Sequence, residues 1–120
     1  MADSIVLTLD VSDLDVQTAF WCAALGYEHV ASVVQYRALE DPSGNGPKML
    51  LQQVSEAKSA KNRLHLDLHV ADPATEAARL EALGATLVQR VAEFGIVWFA
   101  MLDPEGNEFC IVADPTGPQP

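Results

Sequence analysis

The stretch Asp103-Pro104-Glu105-Gly106-Asn107-Glu108-Phe109-Cys110-Ile111-Val112 decides the reading of this chain, because Asp41-Pro42-Ser43-Gly44-Asn45 repeats its opening and also precedes an apolar run. Both openings are turn chemistry. Proline presets φ, glycine accepts a positive φ, and Asp and Asn side chains bond their own backbone, which suits a hairpin leading into a strand. A landmark that occurs twice at a matching place asks whether everything upstream of it is also repeated.

It is. Upstream of the two turns lie Ala24-Leu25-Gly26 and Ala82-Leu83-Gly84, each at the end of a helical stretch, where glycine closes the last turn in a left-handed conformation. Before those stretches stand Val11-Ser12-Asp13 and Val70-Ala71-Asp72. Asp13 and Asp72 suit helix N-caps, and Pro73 suits the first helical position, where its missing N–H costs nothing. Strands are expected over residues 4–10 and 63–69 ahead of the helices. Residues 27–32, 34–39, 86–91 and 96–102, rich in β-branched and aromatic side chains, read as further strands, followed by 49–54 and 109–113.

The chain therefore reads as α+β, two βαβββ modules in a single domain over residues 1–116. Module one covers residues 4–54 and module two 63–114. The polar stretch 55–62, with Lys58 and Lys61, is the linker, and 115–120 is a tail. At 120 residues and 49% hydrophobic the chain suits one compact domain. Seventeen acidic against seven basic side chains give a formal charge of −10, which repels nucleic acid and anionic lipid surfaces. No stretch reaches membrane-spanning length, the N-terminus lacks the pattern of an export signal, and Cys22 and Cys110 suit reduced thiols, so a cytoplasmic protein is expected.

The duplicated pattern, with Ala-Leu-Gly helix ends and the Asp103 to Phe109 motif, resembles the vicinal oxygen chelate superfamily, the glyoxalase-like and bleomycin-resistance-like proteins. The run Lys61-Asn62-Arg63-Leu64-His65-Leu66-Asp67-Leu68 is similar to the small glyoxalase-like proteins common in actinobacteria. The resemblance implies curved sheets that form a cup around a small organic molecule, often in a homodimer. It also implies activities ranging over lyases, isomerases, dioxygenases and ligand sequestration, among which fold alone does not choose.

The resemblance further implies four metal-ligand positions, one on the first and one on the last strand of each module, for an ion that holds two neighbouring substrate oxygens. In module two they fall on His65, a good imidazole donor, and on Cys110, where glutamate is usual. In module one they fall on Val6, which cannot ligate, and near Gln52, with Gln53 as the neighbouring choice. One good donor, one soft donor, one amide and one valine make a poor divalent site. No family-type metal is therefore expected. If a zinc, nickel, manganese or iron ion is held, the candidates are His65, Gln52 and Cys110.

Strand alternation places His65, Asp67 and His69 on one face and the intervening leucines on the other. His65 and Asp67 are the candidate catalytic or anchoring pair, with His65 as base or ligand. Two residues apart on a strand is about 6–7 Å, too far for His65 and His69 to share an ion easily. The plainer reading has Asp67 orienting a neighbouring histidine and His69 standing in water. Trp98 is expected on the ligand side of its strand and Phe99 on the other. Cys110 is either core or a thiol facing the ligand, a nucleophile if His65 lowers its pKa, and Arg37 is a candidate for a ligand carboxylate or a side chain that snorkels to the edge. The expected function is small-molecule binding with a degenerate metal site; the alternative is a metal-dependent lyase, isomerase or dioxygenase using His65.

Overall fold

The computed structural model describes residues 1–113; the expected tail at 115–120 and the last residue of module two lie outside the described residues. The chain divides into two compact units, one over Met1–Ala57 and one from Lys58 onward. Among the described residues each contains one four-stranded sheet and one helix.

The first unit runs β1 (Val6–Val11), α1 (Leu14–Leu25), β2 (Glu28–Val33), β3 (Tyr36–Glu40) and β4 (Lys48–Gln53), with sheet order β1-β4-β3-β2. The second repeats it as β5 (Leu66–Val70), α2 (Pro73–Ala82), β6 (Thr86–Glu93), β7 (Ile96–Leu102) and β8 (Glu108–Ala113), in the order β5-β8-β7-β6. The first and last strands of each unit pair in parallel, and the remaining pairs are antiparallel. This is the α+β fold of the vicinal oxygen chelate proteins. Even the irregularities repeat, with a register shift between His29 and Ala31 in β2 and one between Leu87 and Gln89 in β6.

The helix boundaries follow from local chemistry. Asp13 accepts a hydrogen bond from the Val16 N–H at 3.0 Å, and Asp72 accepts from the Thr75 N–H at 3.2 Å and its hydroxyl at 2.8 Å. Gly26, at φ 69°, ends α1. Helix α2 ends in a Schellman arrangement, with Gly84 N–H donating to Glu81 O and Ala85 N–H to Leu80 O.

Strand starts differ from the sequence reading. Strand β1 begins at Val6 rather than residue 4, and β5 at Leu66 rather than residue 63, because pairing with β4 and β8 starts only there. Val34, expected in a strand, sits in the β2–β3 turn at φ 48°.

In each unit one sheet face packs on the helix. Leu39, Met49 and Leu51 are buried with Phe20 and Trp21, whose rings meet edge to face at 5.1 Å. Phe99, Met101, Phe109 and Ile111 are buried with Ala77 and Leu80 of α2. Among the described residues no helix is long and apolar enough to cross a membrane.

Candidate functional site

Alternation along β8 sends Phe109 and Ile111 toward α2 and turns Glu108, Cys110 and Val112 to the opposite face. Register then fixes the neighbours. Cys110 stands between Asp67 on β5 and Ala100 on β7, and Val112 stands between His69 and Trp98. Trp98 is thus on the same face as Cys110, and Phe99 is buried on the other.

His65 behaves differently from the sequence expectation. It precedes β5 instead of belonging to it, so it is released from strict alternation, and its Nε2 comes to 3.5 Å from Asp67 Oδ1. Both side chains are about half exposed, at 42% and 50%. The donor atoms of His65, Asp67 and Cys110 all lie within 4.8 Å of one another. Imidazole, carboxylate and thiol converge on one patch of the second unit, two of them on paired strands and His65 just ahead of β5.

Cys110 is half-buried rather than part of the core. Burial first, and then the Asp67 carboxylate, push its thiol above the ordinary value, against an opposing pull from Lys61. A thiol held protonated at neutral pH is a poor resting nucleophile.

Beside this group the linker is fastened to β8. Glu108 accepts from Asn62 N–H at 2.8 Å and from Lys58 Nζ at 3.0 Å, Lys58 also reaches Ala60 O, and Asn62 Nδ2 donates to Asn107 Oδ1 at 3.1 Å. The Asn62 and Lys58 bonds hold the Glu108 carboxyl below its usual range. Asn107 is itself tied to buried Asp103, whose carboxylate accepts from the Glu105 and Asn107 backbone and from Asn107 Nδ2. Asp41 does the same work in the first turn, bonding Ser43 and Gly46. The turn acids are accounted for structurally. The fastening by Lys58 and Asn62 was missed in the sequence, where the only signal was a basic linker meeting an acidic strand start.

Other candidates fall elsewhere. Arg37 shares the side of β3 that carries buried Leu39; its guanidinium lies 3.8 Å from Asp15 on α1 and donates to Tyr36 O, so it turns to the helix and not to the open face. Gln52 pairs with Asp10 and Tyr36. Because Leu7 pairs with Met49 as Leu66 pairs with Phe109, the first-unit counterpart of Cys110 is Leu50, and Gln52 matches Val112. The Gln53 amide donates to Ser12 O at 3.1 Å. A depression of about 630 Å³ in the first unit, lined by residues 2–6 and 45–48, holds no histidine or cysteine and none of the candidate residues.

The fold is that of the two-module, vicinal oxygen chelate class. The model of the glyoxalase-like domain matches residues 6–112, and the chain belongs to that family. No curated protein matches it significantly. Among solved structures it is similar to a glyoxalase/bleomycin resistance protein/dioxygenase family enzyme from Burkholderia phytofirmans, with 19% identity, 93% of this chain and 98% of that one covered, and a TM-score of 0.79. It is similar to the fosfomycin resistance protein FosX from Listeria monocytogenes, with 16% identity, 97% and 96% coverage and a TM-score of 0.79. A glyoxalase/bleomycin resistance protein/dioxygenase from Nocardioides matches at 18% identity, 100% and 88% coverage and a TM-score of 0.73. At these identities the likeness speaks for the fold.

Proposed function

We propose that this protein binds a small organic molecule over the open face of its second sheet, with His65 and Asp67 as polar anchor and Trp98 and His69 at the margin. The observation that carries the reading is the convergence of His65, Asp67 and Cys110 on the face turned away from the core. A half-exposed imidazole beside a carboxylate can accept or donate a proton to a bound polar group, while an indole on the same face offers a flat apolar wall. The chain works in the cytoplasm as a homodimer, with both thiols reduced.

The reading is tested by screening small organic molecules in the presence of a chelator for a rise in melting temperature. A hit that stabilises the wild type and loses its effect in His65→Ala and Trp98→Ala, with folding intact by circular dichroism, is the expected result. Hits that stabilise both variants as well as the wild type would move the binding site elsewhere. Elution in gel filtration at the mass of one chain would end the dimer proposal.

A second reading has the same three donors favouring a metal-dependent lyase, isomerase or dioxygenase. A FosX variant from Listeria monocytogenes forms a complex with Mn(II) and 1S,2S-dihydroxypropylphosphonic acid, which gives that reading a precedent in the fold. It requires metal-dependent turnover that His65→Ala abolishes.

A further inference from the structure

We infer that His65, Asp67 and Cys110 form a three-donor cation site contained within the second unit, selective for zinc-class ions over manganese and magnesium. The inference deepens the ligand-binding reading and rests on the same face being the site. It does not use Val6 or Gln52, and Asp67 supplies an extra donor from β5, where the one-ligand-per-strand pattern has only the His65 position.

Three observations carry it. The first is proximity: the three donor atoms lie within 4.8 Å of one another, and His65 Nε2 and Asp67 Oδ1 are already 3.5 Å apart. Donors around a tetrahedral zinc ion, bonded at about 2.0–2.3 Å, stand roughly 3.3–3.8 Å from each other. The His65 and Asp67 side chains, 42% and 50% exposed, are the ones that would move to close the rest. The second is that strand pairing fixes two of the three, since Asp67 and Cys110 are partners in the β5–β8 register on the same face. The third is donor chemistry. One imidazole, one carboxylate and one sulfur suit zinc or cobalt, whereas manganese and magnesium favour all-oxygen surroundings and stand low in the affinity order of divalent ions. Three protein donors also leave a coordination position for solvent or an oxygen of the bound molecule. Lys61, whose charge is felt at Cys110, counts against a cation here, so its removal should tighten binding.

The test uses tag-free full-length protein, stripped with a chelator and kept reduced, titrated calorimetrically with zinc sulfate and with manganese chloride, and with cobalt(II) followed by absorbance. One zinc per chain is expected, with manganese at least about tenfold weaker. Cobalt should give a thiolate-to-metal charge-transfer band. His65→Ala, Asp67→Asn and Cys110→Ser should each weaken zinc by about tenfold or more, Cys22→Ser should leave it unchanged, and Lys61→Ala should strengthen it. No zinc binding, equal zinc and manganese affinity, or zinc binding untouched by Cys110→Ser or Asp67→Asn would overturn the site. The two readings fail separately. If zinc does not bind but an organic hit still depends on His65, the cation site falls and the ligand reading stands. If zinc binds as expected and every organic hit ignores His65 and Trp98, the opposite holds.

Discussion

A methyl group added at Gly46 would run into the Tyr27 hydroxyl, with Asp41 Oδ2 close behind. That hydroxyl donates to Pro47 O at 2.8 Å, and the Gly46 N–H donates to Asp41 Oδ2, so the turn before β4 is packed around a missing side chain. Gly46→Ala should therefore destabilise the protein by about 1–3 kcal/mol, the usual cost of overpacking. In a Tyr27→Phe background, where the clashing oxygen is gone but the ring carbon Cζ and Asp41 Oδ2 still crowd the position, part of that loss should disappear. Chemical denaturation of the two single variants and the double variant measures the coupling. Additive losses would mean that the strain lies in the backbone and not in the contact. The same scale explains what was legible of the site. His65, Asp67 and Cys110 can each be singled out by residue type, but their proximity depends on His65 preceding β5, which no side-chain pattern reveals. Arg37 was open to better reading, because it shares the alternation of Leu39, a residue apolar enough to mark the core side.

At the scale of elements, the two modules could be read from the sequence because their boundaries are set by short-range chemistry: aspartate caps, glycine helix ends, and turns that bond their own backbone. Strand starts and bulges were hidden because they depend on a partner strand distant in sequence. The β6–β7 hairpin adds a case where the residue present is not the one its turn prefers. Phe94 and Gly95 both have positive φ, 55° and 73°, and Phe94 is 92% exposed. A two-residue turn with both angles positive favours Asn-Gly. Replacing Phe94 by Asn should relieve strain of about 1 kcal/mol and raise the melting temperature by a few degrees. A fall instead would mean that the exposed ring is covered in solution, and a change in elution volume in the same variant would identify a second copy as the cover.

For the whole molecule, the charge pattern sets how stability depends on pH. Four carboxyls are held below their usual range by specific partners: Asp41 by Ser43, Asp72 by Thr75, Glu76 by Arg79, and Glu108 by Asn62 and Lys58. Each is ionised in the folded chain at a pH where the unfolded chain has already taken up a proton. Their contribution is thus complete above the ordinary carboxyl range and is lost as pH falls through the lower folded values. The opposite shift holds for Cys22, Cys110 and Tyr27, raised mainly by burial. The unfolded chain releases those protons first, so stability falls again as pH rises past the ordinary thiol and phenol range. Melting temperature against pH should be flat from about 5 to about 8 and decline on both sides. Glu108→Gln gives the pattern a local check. It removes the charge that Lys58 and Asn62 hold, should cost about 1 kcal/mol at neutral pH, and should make the acid decline shallower because one depressed carboxyl no longer titrates. An acid limb of unchanged steepness would mean that the fastening of the linker to β8 contributes nothing to acid lability, leaving it to Asp41, Asp72 and Glu76.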